Sequence, residues 1–105
     1  MYSYKPNNQT STTKIQMTQK AIKLAIQGKW DEAVKINKEL VSLNPNDAET
    51  HNRLGKALEE TGRYKTARNA FHKALELSPH NNIAARNLSR LNQLVASNQP
   101  PKRSK

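Results

Sequence analysis

The sequence predicts an all-α protein of five helices stacked as antiparallel hairpins, and three observations predict it. Residues 28–45 and 62–79 carry the same marks in the same order: Gly28 recurs as Gly62, Trp30 as Tyr64, Ala33 as Ala67, Leu43 as Leu77 and Pro45 as Pro79, always 34 residues apart. A fixed period of that length signals units that cannot bury an apolar face alone and so need a neighbour. Between the marks, apolar residues return at spacings of three and four, the period of one helix face. Glycines and prolines stand where those periodic runs end, as helix stops do.

Each element follows in order. Residues 1–13 are rich in Asn, Ser, Thr and Gln, show no apolar period, and are expected to be disordered. The first helix is expected to start near Ser11 to Lys14, to carry Met17, Ala21, Leu24 and Ala25 on one face, and to end at Gly28, where the chain reversal favours positive φ. The second has Asp31 and Glu32 in its first turn, at the positive end of the helix dipole. Its apolar face is Ala33, Val34, Ile36, Leu40 and Leu43, and Pro45 stops it.

Asn46 or Asp47 caps the third helix, with Glu49 three residues beyond Asn46 at capping-box spacing. Leu54, Ala57 and Leu58 are its buried stripe, and Gly62 closes it. The fourth runs from about Tyr64 to Leu77 through Ala67, Ala70, Phe71, Ala74 and Leu75, and Pro79 ends it. The fifth follows Asn81 and Asn82 and uses Ile83, Ala84, Leu88, Leu91, Leu94 and Val95. Beyond Ser97, Pro100, Pro101 and isolated cations predict loss of order. The units therefore run 14–47, 48–81 and 82–96, between terminal segments 1–13 and 97–105.

On these residues the hairpins resemble tetratricopeptide repeats (TPRs). The second carries the fuller signature, with Leu54, Gly55, Gly62, Tyr64, Ala67, Phe71, Ala74 and Pro79; the first shows Ala21, Gly28, Trp30, Ala33, Leu40 and Pro45. The resemblance implies a right-handed superhelical α-solenoid of two repeats, with the fifth helix resembling the solvating helix that ends such arrays. The residue types agree with close helix packing. Ala21, Gly55, Ala33, Ala67 and Ala74 are small where helices approach, and Trp30, Tyr64 and Phe71 are expected to fill the wedge between hairpins. Lys20 stands where the second repeat has Leu54, and a lysine is not buried between repeats without a partner, so the array is expected to begin at the first helix.

Composition bounds the function. With 105 residues, 34% of them hydrophobic, the chain builds one small domain. No window approaches the length of a membrane span, and the polar N-terminus is unlike a signal peptide. The absence of cysteine rules out disulfides and thiolate sites and fits a reducing, cytoplasmic setting. Of the net charge of +10, Lys5 and the tail cations Lys102, Arg103 and Lys105 carry four, and the remaining excess is spread evenly over the periodic region. Acidic partners are favoured in general, and no dedicated nucleic-acid stripe is drawn.

The resemblance also implies a concave groove lined by the first helix of each hairpin. Ile15, Thr18, Ile22 and Ile26 would come from the first repeat, Glu49, Asn52, Arg53, Lys56 and Glu60 from the second, and Arg86, Asn87 and Arg90 from the last helix. The isoleucines form a stripe separate from the Met17, Ala21 and Leu24 face; exposed, it marks a binding or homodimer surface. The alternatives are that the N-terminal segment folds over it or that the helix rotates to bury it. Lys56, Arg86 and Arg90, with Arg53, Asn52 and Asn87, offer donors for a carboxylate or carbonyl. The alternative is a solvated face with local pairs such as Lys56 with Glu60. Some relatives grip acidic chaperone tails with a carboxylate clamp, but Thr18 and Ile22 stand where that clamp wants Lys and Asn.

His51, His72 and His80 lie on different segments without triad or metal spacing, and no glycine-rich phosphate loop exists, so neither catalysis nor a cofactor is expected. The expected activity is a non-enzymatic protein-protein interaction, with a peptide or helix of a partner in the groove and an adaptor or scaffold role. Weak, salt-sensitive binding to nucleic acid or another polyanion is the rival, without a stacking platform for specific recognition.

Overall fold

A computed structural model describes residues 6–98 as five α-helices: α1 (Pro6–Ile26), α2 (Trp30–Leu43), α3 (Ala48–Glu60), α4 (Tyr64–Leu77) and α5 (Asn82–Asn98). Each helix packs on the next in sequence, and α3 also touches α5, so α1, α3 and α5 lie in one row and α2 and α4 in another. The core runs between the rows through Ala21, Leu24, Leu40, Leu58, Ala67, Phe71 and Leu91.

The 34-residue period is repeated in backbone geometry. Gly28 and Gly62 have φ of 75° and 84°, the left-handed region that a Cβ disfavours. At the first turn Lys29 N donates to Leu24 O at 2.8 Å and Gly28 N to Ala25 O at 3.0 Å. At the second, Arg63 N donates to Leu58 O at 2.9 Å and Gly62 N to Glu59 O at 3.0 Å. This pairing is a Schellman closure written twice, and it satisfies carbonyls the ending helix would otherwise leave open.

The helix starts also repeat. Asp47, not Asn46, caps α3: its side chain accepts from Glu49 N at 3.2 Å and from Thr50 Oγ1 at 2.8 Å. One period later, Asn81 Oδ1 accepts from Ala84 N at 3.1 Å at the start of α5.

Four expectations are corrected. Helix α1 begins at Pro6, ahead of the Ser11 to Lys14 start, because Pro suits a first helical turn and no glycine or further proline interrupts the chain before Gly28. Residues 6–13 are thus helical, while 1–5 and the tail from 99 onward lie outside the described residues. Leu43 and Ile83 are exposed, at 46% and 55%, at the last residue of α2 and in the first turn of α5. Phe71 fills space inside its own hairpin, against Gly55 of α3, as well as closing the core. Asn37, absent from the expected core, is buried on the inner face of α2.

Candidate partner-binding groove

The row α1, α3, α5 carries all twelve groove residues named from the sequence. Ile15, Ile22 and Ile26 on α1 are 57%, 44% and 81% exposed, so α1 is not rotated to bury them, and Thr18 is half-buried. Whether the first residues of the chain cover the stripe lies outside the described residues.

On α3 the groove residues are held by hydrogen bonds that start at the helix cap. Thr50 gives its hydroxyl proton to Asp47 and accepts from Arg53 Nη2 at 3.1 Å, so the cap fixes the Arg53 guanidinium two turns into the helix. Lys56 Nζ lies 2.9 Å from Glu60 Oε2 across one turn, the local pair that spacing alone predicts. Glu49 is exposed.

The basic residues do not gather as one cluster, and the local pairing offered as the alternative holds for Lys56. Arg90 faces Glu59, with Nη2 2.6 Å from Oε1 and Nε 3.3 Å from Oε2, and its Nη1 donates to Asn87 Oδ1 at 2.9 Å. Asn87 Nδ2 in turn donates to Asn52 Oδ1 at 3.1 Å. Asn52, Asn87, Arg90 and Glu59 therefore form one chain of hydrogen bonds that ties α5 to α3, and Arg90 is spent on that tie. Arg86 is exposed and belongs to no ion pair among the described residues.

Sequence reasoning missed Glu59, Thr50 and Asn37. The two α3–α5 contacts join residues 31 and 35 positions apart, within about one helical turn of the 34-residue period. Pairing polar residues of consecutive groove helices at that separation would have found Glu59. Among the described residues no helix is long and apolar enough to cross a membrane, and no three His, Cys, Asp or Glu gather as a metal site.

Comparison with known proteins agrees with this architecture. Residues 48–81 match the family model described as tetratricopeptide repeat, and residues 23–62 match a second, described as TPR repeat. The chain is 30% identical over 70 residues to the small glutamine-rich tetratricopeptide repeat-containing protein 2 of Mycosarcoma maydis, covering 67% of this chain and 20% of that protein. It thus spans about a fifth of the length of that curated relative.

Among solved structures it is similar to MamA AMB-1, with a TM-score of 0.71 and 26% identity over 76% of this chain and 44% of that one. It also shares the fold of the first TPR of Spaghetti, solved bound to an HSP90 peptide, with a TM-score of 0.54 and 21% identity over 82% and 95% of the two chains. From the two overlapping model matches, the curated relative and the repeated hairpin geometry, the chain belongs to the tetratricopeptide repeat family.

Proposed function

We propose that the chain is a protein-protein interaction module that takes an extended or helical segment of a partner along the α1, α3, α5 row. The observation that carries this reading is the exposed stripe Ile15, Ile22 and Ile26 on α1, beside an α3 surface whose polar groups are pre-positioned by Asp47 and Thr50. Such a row offers apolar anchors at one end and fixed donors further along, the mixture that orients a bound segment. The charge of +10 favours an acidic partner and opposes the self-association that the isoleucines alone would permit.

The HSP90 peptide belongs to the Spaghetti complex. Here Thr18 and Ile22 stand at the two α1 positions where such a grip wants Lys and Asn, so apolar contact carries more of the recognition.

The test is selection of binders from a random peptide library, followed by titration against Ile22→Ser and Arg86→Glu variants. Weaker binding in both is expected, and equal binding by both variants and the parent overturns the reading. Arg90 is unsuitable as the probe because its loss loosens α5. A ligand set restricted to nucleic acids, with affinity falling steeply as salt rises, establishes the polyanion alternative instead.

A further inference from the structure

The two junctions along the groove row are built differently. At the later one, between α3 and α5, Phe71 and Leu91 fill the interior, both 0% exposed, and the Glu59–Arg90 ion pair spans the two helices. One period earlier, between α1 and α3, the same four places hold Asn37, Ala57, Ala25 and Lys56. Asparagine and alanine are too small to fill that interior, and Ala25 gives Lys56 no carboxylate to meet across the row. A cavity of about 60 Å³ remains there.

Of its lining residues, Ala21, Ala33 and Ala57 are buried, whereas Ala25 on α1 and Arg53 and Lys56 on α3 are half-buried. The cavity therefore reaches the surface of the groove row. Asn37 Oδ1 and Arg53 Nε have almost no accessible surface, so neither faces the space, and its wall is almost wholly hydrocarbon. A polar head placed there would lose its water without gaining a partner, while an apolar group would supply the packing contacts that the wall lacks.

We propose that this cavity takes a branched aliphatic side chain (Val, Ile or Leu) of the bound partner segment, with a carboxylate of the same segment set against Lys56. The segment then restores at the first junction what the second has of its own: hydrocarbon in the place of Phe71 and Leu91, and an acid in the place of Glu59. Size argues against an aromatic ring, since benzene occupies an apolar cavity of about 150 Å³. Charge argues for the acid, because the lining holds two cations, Arg53 and Lys56, and no carboxylate. Glu60 pairs with Lys56 along the same helix, but at 42% and 38% exposure that pair is readily exchanged. Residues 1–5 and 99–105 contain neither an acid nor a branched aliphatic residue, so these segments do not supply the occupant.

The inference rests on the groove being a peptide-binding surface, and its test has two arms. The first needs no peptide: the full chain is equilibrated with xenon under pressure while amide and methyl resonances are followed by NMR. Xenon enters dry apolar cavities. Saturable shifts are expected at Ala25, Ala33 and Ala57, and are expected to vanish in Ala57→Leu, which carries the residue of the second junction. No xenon shift at these residues overturns the proposal, because the space then admits no apolar guest. If Ala57→Leu loses its fold by circular dichroism, Ala25→Glu, which sets the acid of the second junction opposite Lys56, takes its place in both arms.

In the second arm, peptides selected on the parent chain from a random library are expected to share a Val, Ile or Leu with a neighbouring Asp or Glu. Replacing the aliphatic residue by Ala is expected to weaken binding about tenfold to the parent and not to Ala57→Leu. Replacing the acid by its amide is expected to weaken binding severalfold to the parent and not to Lys56→Gln. Selected peptides that bind Ala57→Leu as tightly as the parent, or that prefer Phe or Trp at the shared position, overturn the pocket and leave the groove reading intact. Failure to select any peptide, with xenon still bound, overturns the groove reading and the pocket's assignment to a partner segment together.

Discussion

The ring of Phe71 occupies the space where a Cβ on Gly55 would lie: Cε1 is 2.5 Å and Cδ1 2.6 Å from that position. Glycine in mid-helix costs roughly 0.5–1 kcal/mol against alanine, yet here it lets α3 and α4 close over a fully buried aromatic. Gly55→Ala is therefore expected to destabilise the chain, because overpacking a full core costs about 1–3 kcal/mol and exceeds the helix-propensity gain. Urea unfolding measures the net loss, and adding Phe71→Leu to Gly55→Ala should recover part of it.

The first hairpin permits the reciprocal experiment. Asn37→Phe brings the ring of the second repeat into a site where the Ala21 methyl takes the place of the Gly55 hydrogen. Alone it is expected to destabilise by about 1–3 kcal/mol. Combined with Ala21→Gly it should recover, with a coupling energy of about 1 kcal/mol or more in a double-mutant cycle. Strict additivity of the two changes would show that the hairpins do not pack alike.

Asn37→Leu is expected to raise stability by about 1 kcal/mol, since it removes a buried acceptor without a partner and keeps the side-chain volume. The gain is read as a higher midpoint in urea.

The Arg90–Glu59 pair tethers α5 to α3, with Glu59 only 9% exposed and Arg90 43% exposed. Arg90→Ala leaves Glu59 without its fork of donors, and because Arg90 is half in water the cost should be near 1 kcal/mol, well below the 3–5 kcal/mol of a fully buried pair. Amide hydrogen exchange should speed up along α5 first, with α2 nearly unchanged. Uniform acceleration over all helices would mean that α5 does not open as a separate unit.

The parts of this fold legible in the sequence are those set by near neighbours along the chain. Gly28 and Gly62 announced left-handed turns because only the local backbone decides them, and the small residues Ala21, Ala33, Ala67 and Ala74 marked the buried sides of their helices. Which partner a polar side chain chooses was not legible. Arg90 read as a free groove cation because Glu59, 31 residues away, comes alongside only when α5 docks.

Asn37 was overlooked because an apolar-periodicity argument passes over polar positions, although comparison with Phe71 one period on shows the vacancy it leaves. Leu43 and Ile83 misled in the opposite sense. They continue the apolar period to helix ends that are left exposed.

Exposed apolar residues on α1 should matter to binding and not to folding. Ile22→Ser and Ile26→Asp are expected to change unfolding free energy by less than about 0.5 kcal/mol, since the side chains are 44% and 81% exposed. The same variants should weaken a selected peptide severalfold. Calorimetric titration beside urea unfolding separates the two effects.

The most direct measurement is an NMR map of the bound segment: resonance shifts across the full chain on titration with a peptide selected from a random library. The expected result is a contiguous set of shifts at Ile15, Ile22 and Ile26 on α1 and Arg53 and Lys56 on α3, with Lys38 on α2 and Lys65 on α4 unmoved. Shifts confined to α2 and α4, or scattered over the surface lysines and abolished by salt, would contradict a groove on the α1, α3, α5 row.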